Sequence, residues 1–154
     1  MAYARNDIIN VHKDYEESIN KWEFYIRSYN GGFDYSAGQY LHRYNLELDN
    51  EYAKRLGNTA LDNHCKNVVQ IYSSFLFRVK PSRDFGSMQG DPILESFLKD
   101  ADLEGNNFNT VMQQAQNYAS IYGHVFLFLD KPNFTTNTLA EELENDIKPY
   151  VSIA

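Results

Sequence analysis

From Ile8 onward, apolar side chains recur at Val11, Tyr15, Ile19, Trp22, Ile26 and Tyr29, in steps of three and four that place them on one face of a helix. Asn6 or Asp7 can cap its start, and Asn30-Gly31-Gly32 stops it, because glycine takes the left-handed conformation that closes a helix. Lys13, Glu16, Glu17, Lys21 and Glu23 occupy the opposite face. The composition from Gly31 to Gln39 predicts a loop. Tyr40, His42, Tyr44, Leu46 and Leu48 then alternate with other residues as in a short strand or an extended arm. Asp49 is placed to cap a second long helix, along which Tyr52, Leu56, Ala60, His64, Val68, Tyr72 and Phe75 repeat at helical spacing. Gly57 weakens that helix without having to break it.

Phe75 to Pro81 changes from helical spacing to an extended apolar segment, a strand or strand-like link that proline ends. Ser82 to Gly90 reads as a surface loop. Asp91-Pro92 sets a capping acid before a first-turn proline, and Ile93, Leu94, Phe97 and Leu98 make a short amphipathic helix that fails near Asp102 to Gly105. Asn107 or Asn109 caps the next helix, whose inward face is Phe108, Val111, Met112, Ala115, Tyr118, Ala119 and Tyr122. Gly123 ends it. Val125 to Leu129 is a continuous apolar run, the mark of a strand covered on both faces, and Asp130 to Asn133 turns the chain away. Asn137 or Thr138 opens a short helix through Leu139 and Leu143. Pro149 to Ala154 begins a second strand without turn residues after it, so the sequence is expected to be a truncated part of a longer chain. The order of elements predicts an α+β fold with helix predominant, its long amphipathic helices packed on a small β-sheet.

A chain of 154 residues with 43% hydrophobic content suffices for one domain, taken here as 1–154. Twelve Tyr and ten Phe exceed what a minimal core uses and point to interface surfaces. On the first helix Tyr15, Trp22 and Tyr29 are widened by Phe24 and Tyr25 into an arc broad enough to need covering, for which a neighbouring subunit is a fair candidate. A formal charge of −7 argues against a surface that grips nucleic acid, since phosphate binding requires clustered Lys and Arg. The single cysteine, Cys65, excludes an intramolecular disulfide and fits a reducing compartment. With no signal peptide and no long apolar run, the chain is expected to be soluble, neither exported nor membrane-anchored.

Catalytic chemistry finds no foothold in the motifs. His12, His42, His64 and His124 lie far apart and lack partners at metal-ligand spacing, and His64 and Cys65 point in different directions on a helix. His64 reads as packed or at a solvent edge. No Gly-x-Ser-x-Gly elbow occurs, and Gly31-Gly32 lacks the Lys-Ser/Thr of a phosphate loop. Glu141, Glu142, Glu144 and Asp146 read as a solvated face, and Asn133-Phe134-Thr135 as a chance glycosylation match. No enzyme activity, cofactor or metal is expected.

Several segments, in order, resemble the N-terminal region of portal proteins of tailed double-stranded-DNA phages. They are the helix Asp14 to Trp22 with Tyr25, Arg27 and the Tyr29 to Gly32 stop; Tyr40-Leu41-His42-Arg43; and a helix with Asn58, Thr59, Asn63, Asn67 and Val68 leading into Phe75 to Pro81. Phe97 to Phe108 is similar to the family's acidic Asp-x-x-Gly loop. Ala119 to Phe126, running on to Asp130-Lys131-Pro132, is similar to its Tyr-Gly-His/Arg turn into a strand, and Lys148 to Val151 to a later strand.

The resemblance implies a structural subunit of a dodecameric homo-oligomeric ring at the capsid vertex of the virion, assembled in the host cytoplasm. DNA would be packaged and ejected through that ring, passing as a duplex without sequence-specific binding. Implied partners are the major capsid protein, terminase and head–tail connector proteins. This region would be wing-like, with stem, clip and crown elements beyond residue 154. Tyr15, Trp22, Phe24, Tyr25 and Tyr29 are the expected interface residues, and Tyr122 and Gly123 the structural pivot. The competing readings are another virion or host α+β adaptor that binds proteins without catalysis, and a small enzyme whose groups meet only on folding.

Overall fold

The computed structural model describes residues 12–59, 63–133 and 138–154. Its fold is α+β with helix predominant, and its contacts group the chain into two compact units, Met1–Asn67 and Val68–Ala154.

In the first unit, α1 (Lys13–Asn30) is capped at His12, whose ring Nδ1 accepts from the Asp14 amide at 3.3 Å. The expected earlier start, with Ile8, Val11 and an Asn6 or Asp7 cap, lies outside the described residues. Gly31 closes α1 at φ 69°, donating its N–H to the Arg27 carbonyl at 2.8 Å. A Cβ there would also stand 2.8 Å from Nδ2 of Asn63, which donates to the Tyr29 carbonyl. Glycine suits the positive φ, and any side chain there would also displace the Asn63 amide from this bond. The loop predicted from Gly31 to Gln39 contains a helix, α2 (Gly32–Ala37), held by local side-chain bonds: Asn30 Nδ2 donates to Asp34 and Ser36 Oγ to the Gly32 carbonyl.

No strand forms over residues 40–48. Tyr40 turns onto Phe24, with ring centroids 4.8 Å apart, and a turn closes from the Glu47 amide to the Tyr44 carbonyl. Arg55 secures this arm by donating to both Glu47 oxygens, at 2.7 and 2.6 Å, and to the His42 carbonyl at 2.7 Å. α3 (Asp49–Asn58) begins one residue earlier than expected: Asp49 is its first helical residue, and the Leu48 amide at the cap is satisfied by Glu51. The single long helix read through to Phe75 is two. Thr59 is extended beside Gly57-Asn58 and donates its hydroxyl to the Arg55 carbonyl, while Asn63 Oδ1 accepts from the Lys66 amide to start α4 (His64–Leu76). Ala60 lies outside the described residues.

In the second unit, Phe75 and Leu76 are the last helical residues of α4, and no strand forms up to Pro81. Phe77 still donates its N–H to the Ser73 carbonyl at 3.0 Å, and residues 77–79 turn and bend where an extended link was expected. A 3₁₀ turn at Gly86–Met88 interrupts the following loop. α5 (Pro92–Lys99) is capped by Asp91, whose Oδ1 accepts from the Ile93 and Leu94 amides, and α6 (Phe108–Tyr122) by Asn107, which accepts from the Thr110 amide. Gly123 ends α6 at φ 84°. β1 (Leu127–Asp130) pairs antiparallel with β2 (Tyr150–Ile153), Leu129 opposite Val151. Between them α7 (Leu139–Glu144) is capped by Thr138, while Asn137 lies outside the described residues.

The core of this unit is Ala101, Val111, Ala115, Ile147 and Val151, with Phe97, Phe108, Met112 and Ile153 packed at its margin. The acidic connection from α5 to α6 clasps β2: the Val151 amide donates to the Ala101 carbonyl at 2.7 Å, and buried Lys148 bonds Asp100, Asp146 and Ser96. β1 corrects the sequence reading, because Phe126, Leu127, Phe128 and Leu129 are all exposed. A two-stranded sheet supplies no second layer over the apolar run that predicted one.

Candidate functional site

The aromatic residues expected at an interface divide by environment. On α1, Tyr15 meets Trp22 edge-on at 5.5 Å and Phe24 lies 6.2 Å from Tyr25, and Tyr15, Phe24 and Tyr25 remain exposed while Trp22 and Tyr29 are half-buried. Phe24 meets Tyr40 in a T-shaped pair, and the Tyr29 ring centroid lies 5.9 Å from the Lys66 ammonium. Tyr122 belongs to the second unit, half-buried and stacked 6.4 Å from Tyr118. Burial, helped by Tyr118, raises its hydroxyl above the usual range. A larger apolar face went unnoticed in the sequence as a surface. Val68, Ile71, Tyr72 and Phe75 follow helical spacing on α4, continued by Leu76 and Val79, and all are exposed, Phe75 at 69% and Val79 at 71%.

A cleft of about 920 Å³ opens in the second unit between residues 77–85, α5 and the first turns of α6. Its walls carry four cations, Arg78, Lys80, Arg83 and Lys99, against one carboxylate, Glu95, a local charge of 4 − 1 = +3 in a chain of −7. The backbone explains the convergence. Residues 77–83 are non-helical, turning and bending over 77–79, and Arg78, Lys80 and Arg83 from this one stretch line the cleft together with Lys99 from the last turn of α5.

Arg83 is held in place: its guanidinium donates to Asn109 Oδ1 at 2.6 Å and lies 4.9 Å from the Phe108 ring centroid, a cation–π contact. Arg78, Lys80 and Lys99 are exposed, and none of the four cations forms an ion pair with a described residue. Half-buried Phe77, Phe85 and Phe108 supply apolar wall between them, and Asn107 and Thr110 at the start of α6 add polar groups. This is an anion-receiving arrangement that the charge total concealed. The legible signal was local, the run Phe77-Arg78-Val79-Lys80-Pro81-Ser82-Arg83-Asp84-Phe85, in which cations and rings interleave.

The remaining chemistry is dispersed. His12, His42, His64 and His124 are exposed, as is Cys65, so His64 is at the solvent edge rather than packed. No group of three or more His, Cys, Asp or Glu is placed to hold a metal among the described residues. Glu142 pairs with Lys131 at 2.7 Å, and Glu141 and Glu144 face solvent. No helix among the described residues is long and apolar enough to cross a membrane.

No protein-family model matches the sequence, and no curated protein matches it significantly.

Proposed function

We propose that this chain is a structural subunit of a phage portal ring, part of the wing of a homo-oligomer at the capsid vertex through which duplex DNA is packaged and ejected. Its partners would be further copies of itself, the major capsid protein, terminase and connector proteins, and it would carry no catalytic centre. The sequence support is the order of the motifs, from the Trp22 helix and its Gly31 stop to the Tyr122-Gly123-His124 turn.

The observation that carries the reading is the apolar surface left open by the fold. The α4 face of Val68, Ile71, Tyr72 and Phe75, and Phe126 with the β1 residues Phe128 and Leu129, are exposed to water, the kind of apolar surface that marks protein contacts. Surfaces of this kind are covered by neighbouring subunits in an assembly, and head-to-tail contacts that close produce rings.

Electron microscopy and mass measurement of the full-length protein test this. Rings with the mass of a dodecamer are expected. A protein that stays monomeric over a wide concentration range, or that forms only one-to-one complexes with a virion or host protein, would replace the ring by the adaptor reading.

A further inference from the structure

We propose that the cationic cleft between residues 77–85, α5 and α6 is a binding site for a nucleotide-sized phosphate ester, its phosphate on Arg78, Lys80 and Lys99 and its base against the phenyl wall. This goes beyond the ring reading and does not depend on it.

Four cations around one carboxylate, without ion pairs to described residues, give the cleft a positive charge that an anion would neutralise. Guanidinium and ammonium donors suit phosphate oxygens, the first as a planar fork and the second as a point charge. Arg83 is already oriented by Asn109 and Phe108, so little conformational freedom remains to be lost there on binding. The volume of about 920 Å³ lies within the range of small-ligand pockets.

The rings favour a nucleotide over a plain acid. A carboxylate-bearing peptide would be served by the cations alone, whereas Phe77 and Phe85 alternate with them in sequence and line the cleft with apolar surface for an aromatic base, Phe108 being engaged by Arg83 and Phe97. Charge limits the ligand's length. With +3 in the cleft, the rest of the chain carries −7 − 3 = −10, which opposes a long duplex. At physiological salt a charge is felt over only about 8 Å, so a short ligand experiences the cleft and little else. The phosphate ester can come from a free nucleotide or from a single-stranded segment.

Titration calorimetry on the full chain, with thymidine monophosphate and with a short oligodeoxythymidylate, tests the assignment and separates the two sources. Saturable binding is expected. It should weaken about tenfold in the Arg78→Glu/Lys80→Glu variant and again between about 50 and 200 mM salt. Lys13→Glu/Lys21→Glu on α1 should leave it unchanged. Tighter binding of the oligonucleotide assigns the site to a strand, and equal binding assigns it to a free nucleotide. Arg78 and Lys80 are exposed, so the variant should keep its helical circular dichroism. Should it not, Lys99→Glu is read in its place. Absence of binding at low salt, binding indifferent to these reversals, or a poly-glutamate peptide or inorganic phosphate binding as tightly as the nucleotide would each overturn the proposal.

Discussion

At Gly123 the backbone enters the left-handed region at φ 84°, and its N–H returns to the Ala119 carbonyl at 2.9 Å. Beyond its chain neighbours, nothing lies within 4 Å of where a Cβ would stand, so the cost of a side chain is conformational. Gly123→Ala should therefore lose about 1 kcal/mol, and Gly123→Val somewhat more because of its β-branch, as read by urea unfolding. Asn should be tolerated better than either. Parent-like stability of the valine variant would mean that the turn does not need positive φ. Lys148 poses a different test. Burial works to lower its pKa, but its bonds to Asp146 and Asp100 outweigh that and raise it, while Ser96 and Lys148 together hold the Asp146 carboxyl low. A depressed carboxyl stabilises the fold above its unfolded pKa, near 3.8, and loses that contribution as pH falls through the lower folded value. Lys148→Met should thus lower stability at neutral pH by about 1–3 kcal/mol and flatten the acid limb below pH 3.8 in thermal melts. Gly123 announced itself in the sequence by standing between two hydrophobic periods. Lys148 did not, because its partners Ser96 and Asp100 lie about fifty residues away.

Helices with strong local punctuation were legible as elements. Asp91-Pro92 and Asn107 cap α5 and α6 as their side-chain chemistry predicts, and Asp91→Ala should cost about 1 kcal/mol in equilibrium unfolding. A loss near zero would show that the proline alone sets the start of α5. Errors arose where two explanations share one pattern. Helical spacing ran unbroken from Tyr52 to Phe75, yet Thr59 left the helix and Asn63 capped a new one, a decision made by hydrogen bonds that hydrophobic period does not record. Period-two alternation at Tyr40 to Leu48 left a strand and an arm both open, and Arg55 fastens the segment as an arm. Likewise the apolar run at 125–129 fixed the presence of β1 but not its cover, since periodicity reports what a face prefers and not what is available to bury it.

At the scale of the whole molecule, the open α4 face lets the proposed assembly be tested apart from folding. Phe75 is 69% exposed, so Phe75→Lys should change unfolding free energy by no more than about 0.5 kcal/mol while reducing the assembled mass seen by light scattering. Unchanged assembly would remove this face from the subunit contact. Net charge was misleading at this scale, because −7 is an average over a surface that includes a +3 cleft, and only the fold reveals which cations meet. The clasp between the α5–α6 connection and β2 has a kinetic consequence. Ser96 and Lys148 are separated by fifty-two positions, so joining them closes a long loop whose entropy must be lost before Val151 can reach Ala101. Docking of β2 is then a late event in folding of the second unit, and the amide protons of Ala101 and Val151 should exchange with deuterium only when that whole unit opens, whereas amides in exposed β1 exchange through smaller openings.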